Sequence, residues 1–427
     1  MAQISEDKAV RRLLDRLGLG GSAAELETAK KNGFDQTVRD LVTPGADPAA
    51  DETPPPKFEP YEPVPKGDEA AKKARRKQQQ QDGQELTRWW LDRMTAVSRP
   101  TPERLAWFWH GHFATSMQKV RNPRLMLGQY ETMRQFGGGD FAELARAMVV
   151  DPAMLIWLDG NDNTAEAANE NLAREFMELF TLGHGQYSES DVKEAARALT
   201  GWTIDRRTGR SRLARARHDG GSKTVLGVTA NFDADSLVDH LLGVPAATDF
   251  VISRVWFRLV GEAGPSPEAM QRLRTAYGKD RQVNRLLAGI ADEDAFGDSA
   301  STLVKQPVDW LVGLCRAAGV RPAKLNEKAQ RRLLALLRGM GQLPFSPPSV
   351  GGWQSGSAWL TTAAAMARTD LARLVVSVAG TEQRKADPVE LLGLDRVSDR
   401  SAAAIRQAPK AQRLAVVACA PEFVVSL

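Results

Sequence analysis

The chain has 427 residues, of which 42% are hydrophobic and 26% charged, with a formal net charge of +4. Those values suit a soluble globular protein with one large or two medium cores. They exclude several classes. The charge is too small to imply nucleic-acid binding by itself. Cys315 and Cys419 make neither a zinc cluster nor a disulfide framework. No run approaches the ~18 apolar residues of a membrane span. The start, MAQISEDKAVRRLLDRLGLG, is charged and amphipathic and lacks the apolar stretch of an export signal, so a cytoplasmic location is expected. Abundant arginine and alanine suggest a bacterial source with a GC-rich genome.

Helical spacing dominates. Val10, Leu13, Leu14 and Leu17 form one face of a first helix that Gly18 and Gly20 should stop. Ser22 with Glu25 is a capping-box pattern, and a further short helix spans Phe34 to Val42. These pieces form an N-terminal helical segment, 1–45, packing on a main domain. Residues 46–84 are proline-rich and then Gln-rich, and read as a flexible insertion that runs into a helix from about Glu69. The main helical domain follows over 85–427. In it, Thr101 should cap a helix with Pro102 at its first position and Gly111 at its end. Helices are expected at 122–136, 140–150, 165–181 and 189–199. Period-two alternation is confined to KTVLGVTA. The fold class expected is therefore all-α, a large multi-helical domain with at most a small β-hairpin near 202–230.

Four stretches carry residues suited to chemistry. WFWHGHF, 107–113, holds two of the five histidines, His110 and His112. On a continuous helix they point about 200° apart, but a helix broken at Gly111 lets His112 turn back to share a ligand. In NENLAREFMELFTLGHGQYSESDV, 169–192, Asn171, Glu175 and Glu178 share a stripe, flanked by Glu170 and Arg174. Glu175 and Glu178 lie one turn apart, the spacing from which helical bundles build two-metal sites. The competing reading is a solvated acidic face. In RHDGGSKTVLG, His218, Asp219 and Lys223 occupy a glycine-rich turn, where the pair can ligate an ion or simply cap the turn. The arginine run before it, Arg206 to Arg217, suits an anion or a mobile loop. LPFSPPSVGGWQSGSAWL, 343–360, cannot continue a helix and should pin Trp353 and Trp359 against a core or a pocket. No P-loop, HExxH, GxSxG or dinucleotide fingerprint is present.

FWHGHFATSMQKV, DPAMLIWLDGNDN, the 169–202 block, HDGGSKTVLG and SPPSVGGWQSGSAWL together resemble the bacterial family called domain of unknown function 1800. They stand in the family's order and cover most of the chain. The resemblance implies that His110, His112, Glu170, Glu175, Glu178, His218 and Asp219 lie in characteristic motifs. It also implies a partner, because members often accompany a second family, domain of unknown function 1501, similar to alkaline-phosphatase-like proteins. Many relatives carry an export signal, which this sequence lacks.

The leading expectation is a metal-dependent enzyme. Its divalent iron, manganese or zinc would be held by His110, His112, Glu175, Glu178, His218 and Asp219. Glu170 and Arg174 would act as catalytic acid/base and clamp, and Lys223, Trp202 and Trp353 would hold a small-molecule or anionic substrate. The aromatic rings of 107–113 should wall a pocket in which a histidine meets a carboxylate of the acidic helix. The alternatives are a non-catalytic interaction or scaffold protein whose polar motifs form a core network, and anion or nucleic-acid binding through the arginine loop.

Overall fold

A computed structural model describes residues 3–205 and 207–426. Arg206, part of the arginine run, lies outside the described residues. Helices account for 63% of the chain, which puts the fold in the all-α class. Strands are confined to three antiparallel pairs among the described residues. The 202–230 segment folds as two hairpins where one was expected: Trp202–Ile204 with Ser211–Leu213, and Lys223–Val225 with Val228–Ala230. The second turns through Leu226 and Gly227, both at positive φ, the backbone that a two-residue hairpin requires. The third pair joins Leu303–Val304 to Val425–Ser426.

Local chemistry sets most boundaries. The first helix is Glu6–Arg16, and the next, Ala23–Asn32, opens on the expected capping box of Ser22 and Glu25. The helix expected from 165 begins at Glu170, because polar side chains hold the preceding turn. Asn163 Oδ1 accepts from Asn169 N–H at 2.9 Å while its Nδ2 donates to Ala196 O at 2.9 Å. From Glu69 the chain forms one helix of 28 residues to Ala96, passing through the boundary placed at 84. Its C-terminal half supplies Trp90, Leu91 and Met94 to the core.

The core is rich in aromatic rings. Trp90, Trp109, Phe113, Phe141, Phe176, Phe180 and Trp310 are fully buried. Arg16 ties the first helix into it from the side, donating to Leu259 O at 2.9 Å and Ser426 O at 3.0 Å. No helix of the described residues is long and apolar enough to cross a membrane.

Candidate functional site

The helix Thr101–His112 runs through Gly111 without a break. This corrects the expectation that glycine ends it, and it decides the histidines. Two apart on an intact helix, they face different neighbours. His110 packs among Trp90, Trp107, Phe345 and Trp353, and its Nε2 accepts the Phe345 N–H at 3.0 Å. His112 packs among Trp109, Phe113, Phe180 and Phe250, and its Nε2–H donates to Phe180 O at 3.0 Å. The two rings are therefore opposite tautomers, each set by a backbone group. Burial pushes both down to about 3, with the Arg254 charge adding to the effect on His112. Gly111 serves close approach instead: Gly352, at φ +81°, lies against its carbonyl with no room for a Cβ.

The acidic helix carries a second local irregularity. It is α-helical over Glu170–Glu175 and then widens to a π turn over Phe176–Thr181, where Thr181 Oγ1 donates to Phe176 O at 2.7 Å. Glu178 accepts from the Tyr187 hydroxyl and from His184 Nδ1 at 3.1 Å, and these hydrogen bonds hold its carboxyl below the usual range. The histidine that meets this helix's carboxylates is thus His184, six residues on. Glu175 is half-buried, and desolvation with the nearby Glu178 charge raises it. Arg174 bridges Glu170 at 3.0 Å and Glu189 at 2.7 Å.

The remaining candidates tie a hairpin down. His218 Nδ1–H donates to Thr200 O at 3.0 Å. Asp219 accepts from Arg197 Nε at 2.7 Å and caps its own turn through Gly221 N–H at 2.8 Å. Lys223 is 1% exposed, and its ammonium donates to Asp219 O, Gly221 O, Asn231 Oδ1 and Phe232 O at 2.5–3.2 Å. Trp202 is half-buried in the first hairpin, opposite Leu213. The structure thus joins Glu175 with Glu178, Glu170 with Arg174, and His218 with Asp219 and Lys223. The Arg174 charge also reaches Glu175 and Glu178, but among the described residues no hydrogen bond or ion pair links these helix residues to His218, Asp219 and Lys223, or either set to His110 and His112. Among the described residues, no three His, Cys, Asp or Glu side chains are placed to share a metal ion.

A cavity of about 600 Å³ lies elsewhere, between the helices Pro245–Leu259 and Pro307–Ala318 and the loop after Trp353. Ser355, Gly356, Ser357 and Trp359 form one wall. Trp353 lies behind it, its ring 4.9 Å from Trp107. Two ion pairs line the opposite side: Arg104 with Asp309 at 2.8 Å and Lys305 with Asp15 at 2.9 Å. Arg258 also lines the cavity. With the Gln306 amide turned so that its oxygen faces the guanidinium, Nε, Nη1 and Nη2 of Arg258 all lie against that oxygen. Burial pushes Arg258 down to about 10, opposed by the Asp309 charge. One turn earlier, Arg254 is half-buried with its Nε unpartnered.

A family model described as "Protein of unknown function (DUF1800)" matches residues 12–425. The chain belongs to this family. No curated protein and no solved structure matches it. In this DUF1800 chain the cavity residues Asp15, Arg104, Arg258, Lys305 and Asp309 all fall inside the match. Sequence reasoning missed every one of them. Each sits singly in an ordinary amphipathic helix or loop, and their spacing along the chain carries no pattern. The one usable signal was the glycine-rich loop 343–360, whose aromatic anchors were expected to wall a core or a pocket.

Proposed function

We propose that this DUF1800 protein binds a small anionic molecule, bearing a carboxylate or a phosphate group, in the cavity beside the 355–359 wall. The observation that carries the reading is Arg258. It is a cation in the cavity wall that meets a neutral amide directly and shares the nearby Asp309 charge with Arg104, which Asp309 pairs at 2.8 Å, while Lys305 has Asp15 to itself among these groups. A half-buried cation that shares its one nearby carboxylate with another arginine is incompletely compensated, and a ligand anion would supply the rest. The planar fork of a guanidinium suits the two oxygens of a carboxylate or phosphate. Trp256 and Trp359 offer apolar contact, and the hydroxyls of Ser355 and Ser357 offer donors beside it. The candidate metal ligands stand in separate places, and no observation favours a metal-dependent reaction over this binding reading.

The test is a thermal-stability screen of the intact protein against succinate, benzoate and inorganic phosphate, with glucose as the uncharged control. A ligand at a hundred times its Kd stabilises by about 2.7 kcal/mol. At least one anion should raise the melting temperature, and the effect should vanish in Arg258→Gln and persist in Arg258→Lys. Equal shifts in wild type and Arg258→Gln, or no shift with any anion, would overturn the proposal.

A further inference from the structure

Two further clefts meet along the N-terminal half of the helix Glu69–Ala96. The narrower, about 450 Å³, is lined on one side by Arg76, Gln79, Gln80, Gly83, Gln84 and Thr87. Their spacing of three and four residues is a single helix face, so the Gln-rich stretch lines a cleft from a helix. Arg121, Arg338 and Ser346 close the other side, and no carboxylate lines it. The wider cleft, about 840 Å³, lies between residues 60–63 and the first hairpin, and holds Arg75, Arg124, Arg207 and Arg217. Gln79 and Arg121 line both, so the two clefts join there.

Positive charge is in excess in this joined cleft, seven arginines against three carboxylates. Among the described residues none of these seven arginines is in an ion pair, whereas Arg174, Arg197, Arg274 and Arg285 on other surfaces each pair with a carboxylate. The hydrogen bonds of Arg75, Arg121, Arg124 and Arg217 go to backbone carbonyls. Three carboxylates line the wide cleft, Glu62, Asp162 and Asp205. Asp205 is spent on the Arg207 and Thr208 N–H groups at 2.8 and 3.1 Å, and Asp162 accepts from Asn161 at 3.1 Å. Arg121, at the junction, is held at φ +51°, a left-handed backbone that a non-glycine residue adopts only under local constraint.

We propose that the joined cleft is a second binding site, for an anion with several linked phosphate groups, which spans Arg121 from one cleft into the other. A single small anion would engage one group of arginines and leave the other uncompensated. The narrow cleft offers guanidinium, amide and hydroxyl donors around a small volume, which suits a phosphate with three or more acceptor oxygens better than a planar carboxylate. A nucleic-acid chain fits less well. Tyr61 is the sole aromatic side chain lining either cleft, its hydroxyl bonds Asp82 at 2.7 Å, and the Arg75 guanidinium lies 5.5 Å from its ring centre. Stacking platforms for bases are therefore lacking.

The test titrates the full chain with inorganic tripolyphosphate by calorimetry at about 50 and about 200 mM salt. Binding should weaken with salt, and Arg121→Ala and Arg338→Ala should each weaken it about tenfold and lower the salt slope by about one. Arg258→Gln, in the separate cavity, and Lys385→Ala, on an exposed helix, should leave it unchanged. The proposal fails if tripolyphosphate does not bind at about 1 mM. It fails equally if Arg121→Ala and Lys385→Ala behave alike, or if Arg258→Gln abolishes the binding. Tighter arginine-dependent binding of oligo-dT or of a polyglutamate peptide would reassign the cleft and overturn it too.

Discussion

The block from Glu170 to Lys223 and the clefts around Arg258 and Arg121 are both rich in charge and use it in opposite ways. In the first, nearly every charged motif residue meets another from a neighbouring element. Arg174 joins Glu170 and Glu189, Arg197 joins Glu194 and Asp219, and Asp191 accepts from Leu226 N–H at 2.7 Å. The Arg174 pairs join the acidic helix to the helix Glu189–Ala198, and the Arg197 and Asp191 contacts clamp the second hairpin to it. In the second, Arg258 and the arginines around Arg121 line concave surfaces and make no ion pair among the described residues. Charge that is internally matched builds structure, while charge left unmatched in a cavity is available to a ligand. The residues with the most suggestive spacing in the sequence belong to the first kind.

Breaking matched charge in the interior should cost most. Glu103 is 1% exposed and accepts from Trp90 Nε1 at 3.1 Å, Arg93 Nε at 2.7 Å, Tyr130 OH at 2.8 Å and Arg134 Nε at 3.0 Å. Glu103→Gln leaves two guanidinium groups without their counter-charge. It should destabilise by about 3–5 kcal/mol in urea unfolding. A loss below about 1 kcal/mol would show that the matched charges are not structural.

Lys223→Met comes next. It removes the donor shared by four oxygens beneath the second hairpin and should cost about 2–3 kcal/mol. Faster amide exchange over 219–232 than in the wild type would locate the loss, and an unaltered exchange pattern would contradict the clamp.

Proton linkage gives a smaller effect with a defined sign. Asp151 is buried, accepts from Gln129 Nε2 at 2.7 Å and Met154 N–H at 2.9 Å, and is pushed up to about 7 by burial. A raised carboxyl holds its proton in the fold, so its contribution to stability falls as pH rises from about 4 to about 7. His110 and His112, pushed down to about 3, act in the other direction. Their neutral rings contribute stability that is complete above about 6.5 and is lost as pH falls toward 3. Asp151→Asn keeps a side-chain oxygen for both donors and removes the opposing contribution. Between pH 4 and 7 its stability should rise more steeply with pH than that of the wild type. A profile identical to wild type would refute a protonated Asp151.

The smallest effect belongs to Glu178→Gln on the partly exposed π turn. Gln can still accept from Tyr187, so the loss should stay within about 1 kcal/mol. A larger loss, or a loss of phosphate or carboxylate binding, would return the acidic helix to the functional site.

The amino-acid sequence by itself determined the helical class, the capping box at Ser22 and Glu25 and the hairpin-forming stretch KTVLGVTA, because each rests on neighbours within a turn or two of chain, and the family, because its long motifs stand in order along the chain. It also picked out the motif residues, and among them the local pairs Glu170 with Arg174 and Glu175 with Glu178. Tertiary structure decided what those residues face. Whether His110 and His112 share a ligand depended on Gly111 staying helical, and it does so where Gly352, far along the chain, packs on its carbonyl. Local spacing contains no information about that contact. The cavity is more extreme: Asp15, Arg104, Arg258 and Lys305 come from four distant segments and become neighbours through packing alone. An incompletely matched cation is recognisable only when everything around it is in place, since it is defined by which carboxylates the fold brings near and which of those are already paired, as Asp309 is with Arg104.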